Sequence, residues 1–136
     1  MGQGYHGGLG RKTDFFVGVN GQVLNAKYQK WIGVSRRDSL LKKAKNTKLK
    51  NAIDQLYRPG SFIGDGGTAS VLKFEKRTGE HVSRNPQGHY IKAVEMAKYL
   101  KNKVLKEENL SKKDRKLANK LIKQLHKAIL EWEGKL

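Results

Sequence analysis

The chain has 136 residues and a formal net charge of +17, because 29 lysines and arginines stand against only 12 aspartates and glutamates. Positive charges in such excess repel one another in a compact chain and favour a polyanionic partner. Nucleic acid is the first expectation for that partner and an acidic protein the second. The absence of cysteine excludes disulfide bridges, thiolate metal sites and a cysteine nucleophile. No run of about 18 apolar residues occurs, so we expect no stable insertion into a membrane.

The N-terminal segment is rich in glycine and then carries the β-like patches of the chain. Residues 1–12 hold five glycines and are predicted to form a flexible arm. The patches Phe15–Val19 and Gln22–Leu24 flank the dipeptide Asn20-Gly21, which favours a tight hairpin turn. We therefore divide the chain into this arm and a single domain over residues 13–136.

The next part of the chain has the apolar period of amphipathic helices. A short helix ending at Gly33 is the alternative to the hairpin, because Tyr28, Trp31 and Ile32 lie at helical spacing. A strand over Ser70–Phe74 is the alternative to the helix that is predicted from Thr68 to Gly79. The first two predicted helices run over 36–45, with Ser35 as cap, and from Asn46-Thr47 to the stop at Pro59-Gly60. The third runs from the cap Thr68 to Gly79. The last two run over 89–105 and over 111–132, the latter with a Ser111–Asp114 capping box.

These patterns predict a mainly α fold. The expected architecture is a small domain of four to five helices, packed helix on helix, with a short N-terminal β-hairpin or irregular arm. The lysines fall on the outer faces of the helices, so the charge is carried by the surface.

A glycine-rich loop, Gly64-Asp65-Gly66-Gly67-Thr68, leads into one of the predicted helices. The free N–H groups and the dipole of a helix N-terminus attract phosphate, and glycines let the backbone approach it closely. The Gly-Lys-Ser/Thr ending of a Walker loop is missing. Asp65 would repel a phosphate unless it is paired, for example with Arg58. The alternative is a purely structural turn with a capping threonine.

His89 and Lys92 are three residues apart, so they share one helix face in its first turn. An imidazole beside a lysine can supply an acid or base and a cation to stabilise a phosphorane, which is what cleavage of RNA without a metal requires. The alternative is a capping or surface histidine beside a solvated lysine. Glu75 can orient the histidine or the lysine, and His81 is the reserve acid or base. The four histidines do not have the spacing of a metal site, and we predict neither a metal nor a cofactor.

Part of the chain resembles the C-terminal toxin domain of bacterial polymorphic toxins, which include contact-dependent growth inhibition effectors. The resemblance covers roughly residues 36–132. It is carried by Leu-Tyr-Arg-Pro-Gly at 56–60, Gly-Asp-Gly-Gly-Thr-Ala at 64–69, Glu75, Thr78-Gly79, and His89 with Lys92-Ala93. The loop over 80–88 is less glycine-rich than the family pattern, so His81 and His89 both stay candidates for the catalytic histidine.

The resemblance implies a toxin that is secreted as part of a larger effector and acts in the cytoplasm of a target bacterium. It implies a cognate immunity protein, which the basic charge of the chain predicts to be acidic. Many such domains are nucleases that act on tRNA, and some use a translation factor of the host to present the substrate.

Together these observations predict an antibacterial, metal-independent ribonuclease with tRNA as the leading substrate. His89 is the expected acid or base and Lys92 the phosphate stabiliser. The remaining candidates are Asp65, Thr68, Gly66 and Gly67 in the phosphate-binding turn, Arg58 and Glu75 as orienting groups, and His81. The alternatives are a nucleic-acid binder without enzymatic activity, a DNase that holds a metal on Asp65 and Glu75, and a toxin acting on a protein or on the envelope.

Overall fold

A computed structural model describes the backbone of residues 16–17, 23–24 and 26–136, and the side chains of residues 27–136. The predicted arm over residues 1–12 and the predicted turn at Asn20-Gly21 lie outside these residues. The described elements are β1 Phe16–Val17, β2 Val23–Leu24, α1 Ala26–Trp31, α2 Arg37–Lys43, α3 Thr47–Leu56, α4 Thr68–Thr78, α5 Gly88–Tyr99 with a π turn over Leu100–Val104, and α6 Lys112–Trp132.

The described part of the chain is mainly helical, as the sequence predicts. β1 and β2 pair antiparallel, with Phe16 opposite Leu24 and Val17 opposite Val23. The short helix that the sequence offered as an alternative is also present, as α1. No helix among the described residues is long and apolar enough to cross a membrane.

The helices α2 and α3 start where a side-chain oxygen accepts one of their first N–H groups. The side chain of Asn46 caps α3 by accepting a hydrogen bond from the Leu49 N–H at 2.9 Å. The cap of α2 is predicted one residue too early: the helix begins after Arg36, and Ser35 Oγ accepts the Arg37 N–H at 3.2 Å.

The cap of α4 is a second correction, because Gly67 and not Thr68 precedes the helix. Thr68 is the first helical residue, and its hydroxyl donates to the carbonyl of Leu56 at 3.1 Å. This bond ties the start of α4 to the end of α3 and explains why the threonine is buried. The helix ends at Gly79, which has a φ of +77°. The strand considered for Ser70–Phe74 is absent, since these residues lie inside α4.

The main core lies between α3, α4, α5 and α6. Its fully buried side chains come from the inner stripe of each helix, including Leu49 and Ile53 of α3, Leu72 of α4 and Leu125 of α6. This helix-on-helix packing buries apolar surface at about 25 cal/mol per Å², and that burial is the main force holding the domain together. α4, α5 and α6 each contact the other two, and the contact between α4 and α6 is the most extensive.

A smaller cluster attaches α1 and the glycine-rich loop to the outer side of α4. Tyr28 packs edge-on against Phe74, with ring centres 4.8 Å apart. Ile32 and Ile63 form an antiparallel bridge, flanked by hydrogen bonds from Gly33 N–H to Phe62 O at 2.8 Å and from Gly64 N–H to Trp31 O at 2.6 Å. The loop before α4 is therefore fixed by backbone pairing as well as by its own turns.

Candidate active site

A buried carboxylate holds a histidine at the point where α4 and α5 meet. Glu75 Oε2 lies 3.1 Å from Nδ1 of His89 and accepts the Val82 N–H at 2.8 Å. The Glu75 side chain has no exposed surface, whereas the His89 side chain is 22% exposed. When the carboxylate is ionised it can only accept, so Nδ1 carries the proton in that state. That leaves Nε2 as the ring nitrogen available to a substrate.

The local sequence explains this placement. Helix α4 ends at Gly79, the loop over residues 80–87 reverses the chain, and Gly88 opens α5. His89 then falls in the first turn of α5, opposite the last turns of α4. The Val82 N–H bond fixes the returning loop to the same carboxylate that orients the imidazole. One glutamate thus sets the position of both the loop and the histidine.

His81 is placed differently from His89. Its ring packs edge-on against Trp132, with centres 6.4 Å apart. His81 Nδ1 and Glu75 Oε1 are both buried without a hydrogen-bond partner among the described residues. Buried polar atoms are seldom left unpaired in this way. The carboxylate nevertheless holds His89, so geometry favours His89 over His81 as the acid or base.

Lys92 lies one helical turn beyond His89 and is half-buried. Its pKa is lowered by burial and then by the positive charge of Arg58, while the carboxylate of Asp54 acts in the opposite direction. Asp54 is itself paired with the guanidinium of Arg37. The end of α3 and the first turns of α5 therefore bring Lys92 near both the cation of Arg58 and the carboxylate of Asp54.

Asp65 has a structural role in the glycine-rich loop. Its Oδ1 accepts the Gly67 N–H at 2.9 Å and the Ser70 hydroxyl at 2.8 Å, and its Oδ2 accepts the Tyr57 hydroxyl at 3.2 Å. Burial, and then the neighbouring Asp65 carboxylate, raise the pKa of Tyr57. Among the described ion pairs none joins Asp65 to Arg58, the pair that the sequence suggested.

The glycines of this loop are required by close packing. Gly66 has a φ of +83°, and a Cβ there would lie 2.7 Å from Ser61 O. A Cβ on Gly67 would lie 2.8 Å from the ring of Tyr57. With Thr68 bonded to Leu56, the loop has the features of the structural turn that the sequence left open as the alternative to a phosphate site.

The structure thus pairs His89 with Glu75, and it places Arg58 near Lys92, one turn further along α5. Asp65, Gly66, Gly67 and Thr68 lie in a packed turn. The sequence does not single out Asp54, which lies near Lys92, or Arg37, which pairs with Asp54. The sequence signal for Asp54 is that it lies four residues before Arg58, and such pairs are common on helix surfaces.

No group of three or more histidine, aspartate or glutamate side chains in the described residues is arranged to hold a metal ion. Comparisons of the chain with family models, with curated proteins and with solved structures find no match. Function has to be argued from the chemistry of the site, since a helical fold is compatible with many activities.

Proposed function

We propose that this chain is the toxin domain of a polymorphic bacterial effector and that it cleaves RNA without a metal. The observation that carries the proposal is the buried Glu75 carboxylate bonded to Nδ1 of the partly exposed His89. A carboxylate in this position fixes the orientation of the ring and stabilises the imidazolium that forms when Nε2 takes up a proton. A purely structural surface histidine does not need such a partner.

The proposed reaction is a transesterification within the RNA strand. His89 Nε2 removes the proton of a 2′-hydroxyl, whose oxygen then forms a bond to the adjacent phosphorus. The bond from phosphorus to the 5′-oxygen breaks, and that oxygen takes a proton from the Lys92 ammonium, which the lowered pKa favours. Arg58 and Lys92 stabilise the charge of the phosphorane. The products are a 2′,3′-cyclic phosphate and a 5′-hydroxyl.

The charge of the chain supports RNA as the substrate. A net charge of +17 attracts a polyanion over long distances. Transfer RNA as the leading substrate, delivery into a neighbouring bacterium, an acidic immunity protein and presentation by a translation factor of the host all rest on the resemblance to polymorphic toxins.

The test is inducible expression in a bacterium, with total RNA run on a denaturing gel. The wild type is expected to produce discrete RNA fragments, whereas His89→Ala should lower cleavage by about 10²-fold or more and Glu75→Gln by about 10-fold or more. Ile91→Ala is the matched control, because it changes an exposed side chain in the same helical turn and should cleave normally. Circular dichroism establishes that each variant folds.

Two results would contradict the proposal. Growth arrest with intact RNA would show that the target is not RNA, and full cleavage by folded His89→Ala would remove the histidine from the mechanism. Activity that a chelator abolishes would favour the DNase alternative. That alternative has little support in the described geometry, since Asp65 and Glu75 are already engaged by hydrogen bonds within the chain.

A non-enzymatic nucleic-acid binder is the second candidate, and one observation favours it. The outer face of α6 presents exposed lysines within about 100° of its circumference, and the described ion pairs involve none of them. These lysines are Lys112, Lys113, Lys116, Lys120, Lys123 and Lys127. If the chain is such a binder, its affinity for nucleic acid should depend steeply on salt, and His89→Ala should leave that affinity unchanged.

A further inference from the structure

A groove with a volume of about 290 Å³ runs between α5 and α6. Val94 and Ala97 of α5 and Ile129 of α6 form its apolar floor. Lys98 and Lys101 line the side formed by α5 and its π turn, and His126 lines the side formed by α6. All three side chains are exposed. The two lysines take part in none of the ion pairs among the described residues, so their charge is available to a ligand.

The opposite end of the groove has different chemistry. There the Glu133 carboxylate accepts a hydrogen bond from the Tyr90 hydroxyl and pairs with Lys135 at 3.3 Å. These two contacts lower the pKa of Glu133. Since α5 rises about 1.5 Å per residue, roughly 16 Å separate Tyr90 from Lys101 along the helix axis. The groove therefore has two lysines at one end, apolar side chains in the middle and the Glu133 carboxylate, paired with Lys135, at the other end.

We propose that this groove binds one nucleotide of a single-stranded RNA segment, with the base on the apolar floor and the flanking phosphates on Lys98 and Lys101. The carboxylate of Glu133 repels phosphate, so its end receives the hydroxyl and amino donors of the ribose and base. The identity of the ligand as RNA rests on the proposed function.

The groove begins beside the candidate active site. Tyr90 directly follows His89 in the first turn of α5, and its ring stacks on Trp132 with centres 6.0 Å apart and planes 15° apart. The ring of His81 touches the same tryptophan. A strand that places its scissile phosphate at His89 can therefore continue into the groove on the far side of these rings.

The side chains of the groove favour RNA over a protein partner. Protein interfaces are enriched in arginine and aromatic residues at their centre and depleted in lysine. Here the centre is aliphatic and the charge is carried by lysine, which binds phosphate as a flexible point charge. The volume, close to the lower end of the range for small-ligand sites, suits one nucleotide.

Hexauridylate binding to the His89→Ala protein tests the proposal, because this background separates binding from cleavage. Trp31→Phe leaves Trp132 as the sole tryptophan of the chain, which has two, so that fluorescence reports on the ring beside the groove. Methyl NMR shifts of Val94 and Ile129 are the second readout and do not require the Trp31 substitution.

We expect Lys98→Gln/Lys101→Gln to weaken binding by about 10-fold or more and to lower the salt slope of log K by about 1.4. The matched control is Lys42→Gln/Lys43→Gln, which removes the same charge from two exposed lysines in the last turn of α2 and should weaken binding by less than about threefold.

Equal weakening in the two double variants, or binding that leaves the Val94 and Ile129 methyls unshifted, would overturn the groove proposal. These results are separable from those for the proposed function. RNA cleavage without groove binding contradicts the groove alone, whereas groove binding without cleavage contradicts the ribonuclease alone.

Discussion

Lys92 occupies a position that costs folding free energy. Its pKa is lowered because burial and the nearby Arg58 both disfavour the charged form. In the unfolded chain the lysine keeps its proton up to its ordinary pKa of 10.5, whereas the folded chain releases it at lower pH. The unfolded state binds more protons between these two values, so stability rises as pH increases through that interval and the full cost is present below it.

Lys92→Met is therefore expected to make the domain more stable at pH 7 and less active. The methionine keeps much of the apolar stem and removes the charge, so the midpoint of thermal unfolding should rise by about 1–4 °C. Cleavage should fall by about 10²-fold, because the cation beside the phosphorane is lost. Calorimetry between pH 7 and 10.5 checks the sign, since the gain should shrink as pH rises. A variant that is destabilised at pH 7 would contradict this account.

The sequence predicts the pair His89 and Lys92 but not the residues that surround it. The spacing of His89 and Lys92 on one helix face was readable from the chain, and Glu75 was a candidate orienting group. The burial of Glu75 and its bond to Val82 depend on how the loop over 80–87 returns, which local patterns do not encode. Asp65 was assigned to a phosphate site because the sequence did not show that Tyr57, Gly67 and Ser70 would surround it.

Among the elements, the segment after α1 and the glycine-rich loop approach each other closely, backbone against backbone. A Cβ on Gly33 would lie 2.2 Å from the backbone oxygen of Gly64, which is inside any real contact distance. The two segments are also hydrogen-bonded on both sides of the Ile32–Ile63 bridge. They cannot separate without breaking that pairing.

Gly33→Ala is expected to destabilise the domain by about 1–3 kcal/mol, because the added methyl forces the two backbones apart. Chemical denaturation followed by circular dichroism measures the change. Val34→Ala is the control, since the neighbouring valine is 85% exposed and its truncation should be close to neutral. A Gly33→Ala protein as stable as the control would show that this backbone contact is looser than described.

The existence and order of the major helices were predictable, because their apolar stripes and several caps are local features. The exact ends of the helices were less predictable where tertiary contacts compete with local capping. Thr68 looks like a cap in the sequence, yet its hydroxyl bonds to the end of α3 and Gly67 takes the cap position. The π turn over Leu100–Val104 has no marker in the sequence that we can identify.

For the whole molecule, the excess of positive charge opposes folding at low ionic strength. Lys120 shows this well, because it lies at helical spacing from Lys116 and Lys123 on the outer face of α6. Reversing its charge replaces two repulsions by two attractions.

Lys120→Glu is expected to raise stability at low salt by about 0.5–1 kcal/mol. Thermal unfolding at about 20 and about 500 mM salt, between which the screening length falls about fivefold, should show the gain shrinking at the higher value. A gain that is equal at both concentrations would mean that charge repulsion is not its cause. Lys120→Gln is the control and should give a smaller gain.

The contacts of Asp114 affect the order in which the parts of the molecule fold. Its buried carboxylate accepts the backbone N–H groups of Lys45 and Asn46, which lie 69 and 68 positions earlier in the chain. These groups sit at the junction of α2 and α3 and have this late side chain as their acceptor. During synthesis the first helices are made long before α6, so these N–H groups are left to water until Asp114 arrives. Such distant pairing slows folding, and the junction of α2 and α3 reaches its final hydrogen bonding only when α6 docks.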